Sequence, residues 1–321
     1  MNLKFLLIGF LFFYSCSSSK PKSFSFDDIM TAKMPGIISN DRFTANDGTS
    51  IAYYKYISKK EKANLIFVHG GGAHSGAGYQ KLAYELSNQY GISTYLIDLR
   101  GHGKSEGDRG DSSSVEIVYS DIEQMIQIVR GYSDNPLFLG GHSSGSGLIL
   151  NLFDGKSNLP LSGLLFLSPE FGFRSKTSRE NIKIPFANPR ISIFVLSELT
   201  GKKLFGNTTA VTFNYPAEIL QMDPLLINSI STNMANALTP NDPSNQLSQI
   251  SIPLGIWIGA NDELIDPDKL KSFTENSFQS NNSESLFTVI PNENHLSILI
   301  EASKPMSQFI YKRIQFIQNK K

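Results

Sequence analysis

Ser143 stands at the centre of the pentapeptide GHSSG (141–145), directly after the apolar run 137–140. A G-x-S-x-G pattern between a strand and a helix is typical of a sharp turn that exposes a serine hydroxyl at the end of a sheet. Residues 145–153 continue with apolar side chains at helical spacing, so strand, turn and helix are all indicated. The sequence therefore predicts Ser143 as a catalytic nucleophile.

A serine hydroxyl is a weak nucleophile at neutral pH, and it needs a histidine base that is oriented by a carboxylate. Of the five histidines in the chain, only His295 follows Ser143. In enzymes built on this turn the three groups come in the order serine, acid, histidine. This order selects His295 as the base and requires the acid to lie between the two residues.

The predicted acid is Asp262, which follows the apolar strand 254–259 at its carboxyl end. Sites of open α/β sheets are built at such ends. Glu263 and Asp266 lie close enough in sequence to compete with Asp262. For Asp266, the following Pro267 favours a helix N-cap instead.

Attack on a carbonyl also creates an oxyanion, which needs two backbone N–H donors. The backbone of Ser144 is one predicted donor, and Gly71 in the glycine-rich loop after strand 64–68 is the other. His69 precedes the serine, and we expect it to brace this loop. The loop could instead bind phosphate, but neither G-x-x-x-x-G-K-[ST] nor G-x-G-x-x-G follows the strand.

With these residues in place, the chain resembles the monoacylglycerol lipase and lysophospholipase group of the α/β-hydrolases over about residues 40–318. The resemblance implies Ser143 as nucleophile, Asp262 as acid, His295 as base, and the Gly71 and Ser144 N–H groups as the oxyanion hole. The chain departs from the group at GHSSGSG, where relatives usually have Met-Gly-Gly after the serine, and in its lid region. The motifs that carry the resemblance are HGGGAHSGAGY (69–79), IDLRGHGKSEGDRG (97–110), GHSSG (141–145), LLFLSPEFG (164–172), MDPL (222–225), GANDELIDP (259–267) and ENH (293–295).

The 321-residue chain is 40% hydrophobic, which is enough for one large core. Strand and helix patterns alternate along it, which predicts an α/β fold with a mostly parallel central sheet and helices on both faces. The resemblance implies that this is an α/β-hydrolase fold with a helical lid insertion. Lysine plus arginine and aspartate plus glutamate both total 29, so nucleic-acid binding is not expected. No metal or organic cofactor is required, and oligomeric state is not indicated. Strands are predicted near 51–57, 64–68, 92–98, 137–142, 163–168, 254–259 and 285–290.

The amino terminus predicts export. Residues 1–15 combine a short basic start with an apolar run too short to span a bilayer, as in a signal peptide. Cys16, the only cysteine in the chain, follows directly and resembles the lipidated first residue of a bacterial lipoprotein. Residues 16–36 would then be a tether and 37–321 the hydrolase domain, held at the cell envelope. The alternatives are an ordinary secretory signal, giving a secreted or periplasmic protein, or an uncleaved anchor.

The resemblance also implies a lid between strands, at about residues 171–250. Apolar patterns within it predict a helix at 191–205 and one or two helices at 215–238. Ile191, Phe194, Val195 and Leu199 are candidates for contact with a lipid-like substrate. Packing of these residues onto the catalytic domain is the alternative.

The leading hypothesis from the sequence is a membrane-associated serine ester hydrolase that cleaves acylglycerols or lysophospholipids through an acyl-enzyme. The partners are then a small lipid-ester substrate and, through Cys16, a membrane. One alternative is a peptidase or amidase that uses the same three residues. Another is an envelope-tethered binding protein without turnover.

Overall fold

The computed structural model of the chain describes residues 24–26, 40–154, 159–180, 182, 184–201, 204–277 and 284–319. The predicted signal peptide (1–15), Cys16 and all of the tether except 24–26 lie outside the described residues. Within the described residues, no helix combines the length and apolar character needed to cross a bilayer.

The strands of the described chain form one large sheet and one small sheet. In the large sheet the eight strands run in the order β1-β2-β4-β3-β5-β6-β10-β11. The strand bounds are β1 (Asp41–Thr44), β2 (Ser50–Tyr56), β3 (Ala63–Val68), β4 (Ile92–Ile97), β5 (Leu137–His142), β6 (Gly163–Leu167), β7 (Ala187–Pro189), β8 (Thr209–Phe213), β9 (Ser229–Ser231), β10 (Leu254–Gly259) and β11 (Leu286–Ile290).

The large sheet is mostly parallel, as predicted. From β4 to β11 every neighbouring pair is parallel, whereas β1 and β2 are antiparallel to their neighbours. Each residue of β3, β4, β5, β6 and β10 is buried. Strands covered on both faces read as continuous apolar runs, which is why the sequence revealed them. The short edge strand β1, with alternating exposure, was not predicted.

Helices cover both faces of this sheet, so the chain has the predicted α/β-hydrolase architecture. Two clusters of buried apolar side chains lie on opposite faces, one including Ile122 and Leu148 and the other including Leu82 and Phe309. The helix bounds are α1 (Tyr79–Tyr90), α2 (Val115–Tyr132), α3 (Ser144–Leu152), α4 (Ile191–Leu199), α5 (Ala217–Met222), α6 (Thr232–Leu238), α7 (Pro243–Ser248), α8 (Pro267–Ser277), α9 (Ile298–Glu301) and α10 (Ser303–Asn319).

The insertion after β6 is not purely helical, in contrast to the expectation. It contains an antiparallel sheet in the order β7-β8-β9 beside helices α4, α5 and α6. The predicted helix 191–205 ends at Leu199, and strand β9 interrupts the predicted helical region 215–238. The three strands are only three to five residues long, so their alternation was too short to be told from an apolar helix pattern.

Candidate active site

Ser143 lies in the sharp turn between β5 and α3, with φ 53° and ψ −127°. A positive φ is strained for a serine, and such strain concentrates at functional sites. The flanking glycines let the chain cross itself. A Cβ on Gly141 would lie 2.6 Å from the backbone carbon of Gly145, and a Cβ on Gly145 would lie 2.5 Å from the carbonyl oxygen of His69. The turn expected from the sequence is therefore present.

Asp262 and His295 lie side by side after β10 and β11, which are neighbouring parallel strands. Nδ1 of His295 is 2.9 Å from Oδ2 of Asp262, and both residues are buried. The other oxygen of Asp262 accepts from the N–H groups of Leu264 and Ile265, at 2.9 and 2.8 Å. The carboxylate is thus fixed by the backbone and presents its free oxygen to the imidazole, so Nδ1 carries a proton and Nε2 is left as an acceptor.

The two side chains shift each other's pKa in opposite directions. Burial by itself would lower the pKa of His295, but the charge and hydrogen bond of Asp262 outweigh it, and the pKa is raised. Burial would raise the pKa of Asp262, but the imidazolium charge, the hydrogen bond to His295 and the Ile265 N–H bring it below its usual value. The pair is therefore arranged to stabilise a positive charge on His295.

The two competing carboxylates have different partners. Oε2 of Glu263 accepts from the backbone N–H of His295 at 3.0 Å, so Glu263 holds the main chain of His295 and not its ring. Oδ1 of Asp266 accepts from the N–H groups of Asp268 and Lys269, at 3.0 and 3.1 Å. Asp266 is thus the N-cap of α8, as the sequence indicated.

The glycine-rich loop after β3 lies against the first residue of α3. A Cβ on Gly71 would lie 3.0 Å from Oγ of Ser144, so the two predicted oxyanion donors are neighbours. The N–H of Ser144 is in the first turn of α3, where amides have no acceptor within the helix. His69 braces the loop, because Nε2 accepts from the Leu99 N–H at 3.1 Å and Nδ1 lies 2.9 Å from the Gly70 carbonyl. Burial lowers the pKa of His69 to about 4, so the ring is neutral.

The same loop is tied to the insertion. Nε2 of His74 lies 2.7 Å from Oδ2 of Asp223, and the N–H of Ile227 donates to the carbonyl of Gly72 at 2.8 Å. The contact between His74 and Asp223 joins residues 149 positions apart in the chain. Motifs 69–79 and 222–225, which the sequence presents separately, thus meet beside Ser143.

Two groups at the site were missed by reasoning from the sequence. Nε2 of His142, the residue before Ser143, lies 2.8 Å from the carbonyl oxygen of His295. Tyr79, at the start of α1, has its hydroxyl between His142 and the N–H of Gly70. His142 lies in the GHSSG pattern and Tyr79 in the first loop motif, but neither position indicates a partner, because the contacts span 63 and 153 residues.

A cavity of about 260 Å³ joins these groups. Ser143 and His295 both line it, and so does Gly71. The predicted substrate contacts Ile191, Phe194, Val195 and Leu199 are not among its lining residues: Leu199 is 78% exposed, and Phe194 packs against the core. Other insertion residues line the cavity instead, together with two residues from the amino-terminal region: Phe186, Tyr215, Ile219, Asp223, Leu226, Phe24 and Phe26.

Together, the sheet order, the turn at Ser143 and the groups around it define an α/β-hydrolase. Residues 59–296 match the family model described as "serine aminopeptidase, S33", and the chain belongs to that hydrolase family.

Among curated proteins, the chain is 29% identical over 243 residues to an uncharacterized abhydrolase domain-containing protein of Dictyostelium discoideum. It is 28% identical over 210 residues to mouse monoglyceride lipase. These stretches cover 74% and 63% of this chain, but 24% and 66% of the relatives' own lengths.

The fold is similar to that of the crystal structure of a Paleococcus ferrophilus monoacylglycerol lipase. The TM-score is 0.61, with 22% identity over 82% of this chain and 98% of the other.

Proposed function

We propose that the protein is a serine ester hydrolase that cleaves acylglycerols or lysophospholipids through an acyl-enzyme on Ser143. The observation that carries this proposal is a largely apolar cavity that is lined by both Ser143 and the Asp262-paired His295. The similarity to mouse monoglyceride lipase supports the lipid-ester class. No step of this chemistry calls for a metal or organic cofactor.

In the proposed first half-reaction, Oγ of Ser143 attacks the ester carbonyl carbon while Nε2 of His295 accepts the hydroxyl proton. Asp262 stabilises the imidazolium that forms. The N–H groups of Gly71 and Ser144 bind the oxyanion. Collapse of the tetrahedral intermediate breaks the ester bond, and the leaving alcohol takes the proton from His295.

In the second half-reaction, water attacks the acyl-enzyme carbonyl and gives its proton to His295. The second tetrahedral intermediate expels Ser143, which recovers the proton, and releases the fatty acid. The base therefore ends in its starting state, and the net change is addition of water across the ester bond.

Active-site labelling with a fluorophosphonate, followed by mass spectrometry, tests the proposal. We expect an adduct on Ser143, its loss in Ser143→Ala, and an unchanged adduct in Ser120→Ala, a serine on the partly exposed face of α2. If folded wild-type protein is not labelled, the proposal that Ser143 is an activated nucleophile is overturned. That result would favour an envelope-tethered binding protein without turnover.

A peptidase or amidase on the same residues is the second candidate, favoured by the description of the matching family. An aminopeptidase needs a carboxylate for the substrate's ammonium group. Among the described lining residues of the cavity, Asp223 is the one carboxylate, and it is paired with His74. Because of this pairing, Asp223 is less available to a substrate ammonium group, so the cavity favours an ester hydrolase over an aminopeptidase. Comparing kcat/KM for a para-nitrophenyl ester and an aminoacyl anilide distinguishes the two candidates.

We further propose that Cys16 carries a lipid that holds the protein at a bacterial envelope membrane. Phe24 of the cavity is eight residues beyond Cys16, and eight residues span at most about 28 Å. Lipidation would thus keep the cavity close to a source of lipid esters. Cys16→Ala should move the protein from the membrane fraction to the soluble fraction. Continued sedimentation of that variant with membranes would exclude the lipid anchor.

A further inference from the structure

Phe24, Ser25 and Phe26 form a short segment that lies against the active site although it is far from it in the sequence. The ring of Phe24 is 4.6 Å from that of Phe186 and 5.8 Å from that of His295, measured between centroids. The ring of Phe26 is 5.6 Å from that of Tyr215. The segment thus contacts both the insertion and the residue after β11 that we propose as the base.

Glu263 holds this segment at a defined position. Its Oε1 accepts from the backbone N–H of Ser25 at 3.2 Å, while its Oε2 accepts from the backbone N–H of His295 at 3.0 Å. Glu263 is itself 8% exposed. One largely buried carboxylate therefore joins the amino-terminal segment to the main chain of His295, so the contact is more specific than apolar adhesion alone.

The aromatic rings of the segment pack beside a group of aromatic rings in the insertion. Phe186 stacks on Phe213 with centroids 5.4 Å apart, and Tyr215 packs edge-on against Phe186 at 4.9 Å. Phe24 and Phe26 add two rings to this group. The cavity remains open beside them, with both Ser143 and His295 on its lining, so the segment bounds the cavity without filling it.

We infer that Phe24 and Phe26 are specificity-determining residues that bind the apolar part of the ester substrate. This inference rests on the proposed function. It adds that one wall of the substrate cavity, formed by Phe24 and Phe26, comes from outside the predicted hydrolase domain 37–321. Two phenylalanine rings present apolar area with little conformational freedom to lose, which suits an acyl chain. A short acyl group does not extend along the wall, so the wall discriminates by chain length.

The test compares Phe24→Ala and Phe26→Ala with wild type in the full chain, using para-nitrophenyl acetate and para-nitrophenyl decanoate below its aggregation concentration. We expect the ratio of kcat/KM for decanoate over acetate to fall about tenfold in each variant, mainly through KM, since each loses one ring contact. Phe316→Ala, on the partly exposed face of α10, is the matched control and should keep the wild-type ratio.

A further variant, Ser25→Pro, covers the case in which the loss of a ring disturbs folding. Proline has no N–H, so it removes the hydrogen bond to Glu263 while keeping both phenylalanines. The ratio should fall in this variant too. Equal loss on both esters would overturn the inference in favour of a structural role. A gain on both esters would overturn it in favour of an inhibitory segment.

The outcome is separable from that of the proposed function. Fluorophosphonate labelling of Ser143 is measured on the wild type and on every variant. If the variants are labelled but keep the wild-type ester ratio, only the substrate-binding role of Phe24 and Phe26 is contradicted. If the wild-type protein is not labelled, the proposed ester hydrolase function itself is contradicted.

Discussion

The hydroxyl of Tyr79 lies 2.9 Å from Nδ1 of His142 and accepts the backbone N–H of Gly70 at 2.8 Å. Nε2 of His142 in turn faces the carbonyl oxygen of His295 at 2.8 Å. Since a carbonyl only accepts, Nε2 carries the proton, and Nδ1 accepts from Tyr79. Burial lowers the pKa of His142 to about 3, so the ring stays neutral. This chain of hydrogen bonds joins the glycine-rich loop after β3 to the main chain of His295, the proposed base.

Tyr79→Phe should therefore destabilise the fold. It removes one hydroxyl and leaves two buried groups, the Gly70 N–H and Nδ1 of His142, without that partner. Such a loss costs about 1–3 kcal/mol, to be measured by urea unfolding. Tyr84→Phe, on the exposed side of the same helix α1, is the control and should change the unfolding free energy by less than about 0.5 kcal/mol. Equal stability of the two variants would contradict the network.

Asp262→Asn should lower kcat by about 10⁴-fold. The amide nitrogen would face Nδ1 of His295 and favour the wrong tautomer. Asp266→Asn, which alters the N-cap of α8 at the end of the same loop, is the control and should retain kcat within about twofold. A similar loss in both variants would indicate a general disturbance of this loop.

The pH dependence of activity tests the pairing of Asp262 with His295 independently. His295 must be neutral to accept a proton, so wild-type activity should rise with pH through the pKa of His295, which Asp262 raises above its usual value. Without the carboxylate charge that pKa falls, so the acidic limb of residual Asp262→Asn activity should move to lower pH. The acidic limb of the variant is obtained by measuring its rate of fluorophosphonate labelling as a function of pH. A shift to higher pH would contradict the pairing.

Gly71→Ala should lower kcat about 10- to 100-fold. The added Cβ would lie 3.0 Å from Oγ of Ser144 and 3.2 Å from Cζ of Phe213, so the loop or these two side chains must shift by a few tenths of an ångström, and small displacements at reacting centres have effects of this size. Gly131→Ala in α2, with nothing within 4 Å of the new Cβ, is the control. It should keep kcat and raise the unfolding free energy by about 0.5–1 kcal/mol. Unchanged kcat in Gly71→Ala would argue against this loop as the oxyanion site.

Substitutions at a packed and at an exposed residue of α4 should differ in their effect on stability. Phe194 packs partly against the core, so Phe194→Ser should cost about 1–3 kcal/mol of stability in thermal unfolding. Leu199 is 78% exposed, and Leu199→Ser should change stability by less than about 0.5 kcal/mol. Because neither residue is among those lining the cavity, the decanoate-to-acetate ratio should not change in either variant. A lower ratio would restore the substrate contact expected from the sequence.

Much of the sheet could be predicted from the sequence. The strands buried on both faces are continuous apolar runs, and the turn at Ser143 is written in adjacent residues, so local information was sufficient. His295 could be selected because it is the only histidine after Ser143. The short strands of the insertion could not be predicted, since three to five residues carry too little periodicity.

The sequence by itself determined the residue types, their order along the chain, and the strand ends at which they stand. The pairing of Asp262 with the ring of His295 was predicted, and the structure shows it. Only the tertiary structure decided the other partners: Glu263 for the main chain of His295 and for Ser25, and Tyr79 for His142. The physical reason is that these bonds join residues 32 to 238 positions apart. The sequence favoured Asp262 among the carboxylates of its loop, but only packing sets which oxygen meets which donor.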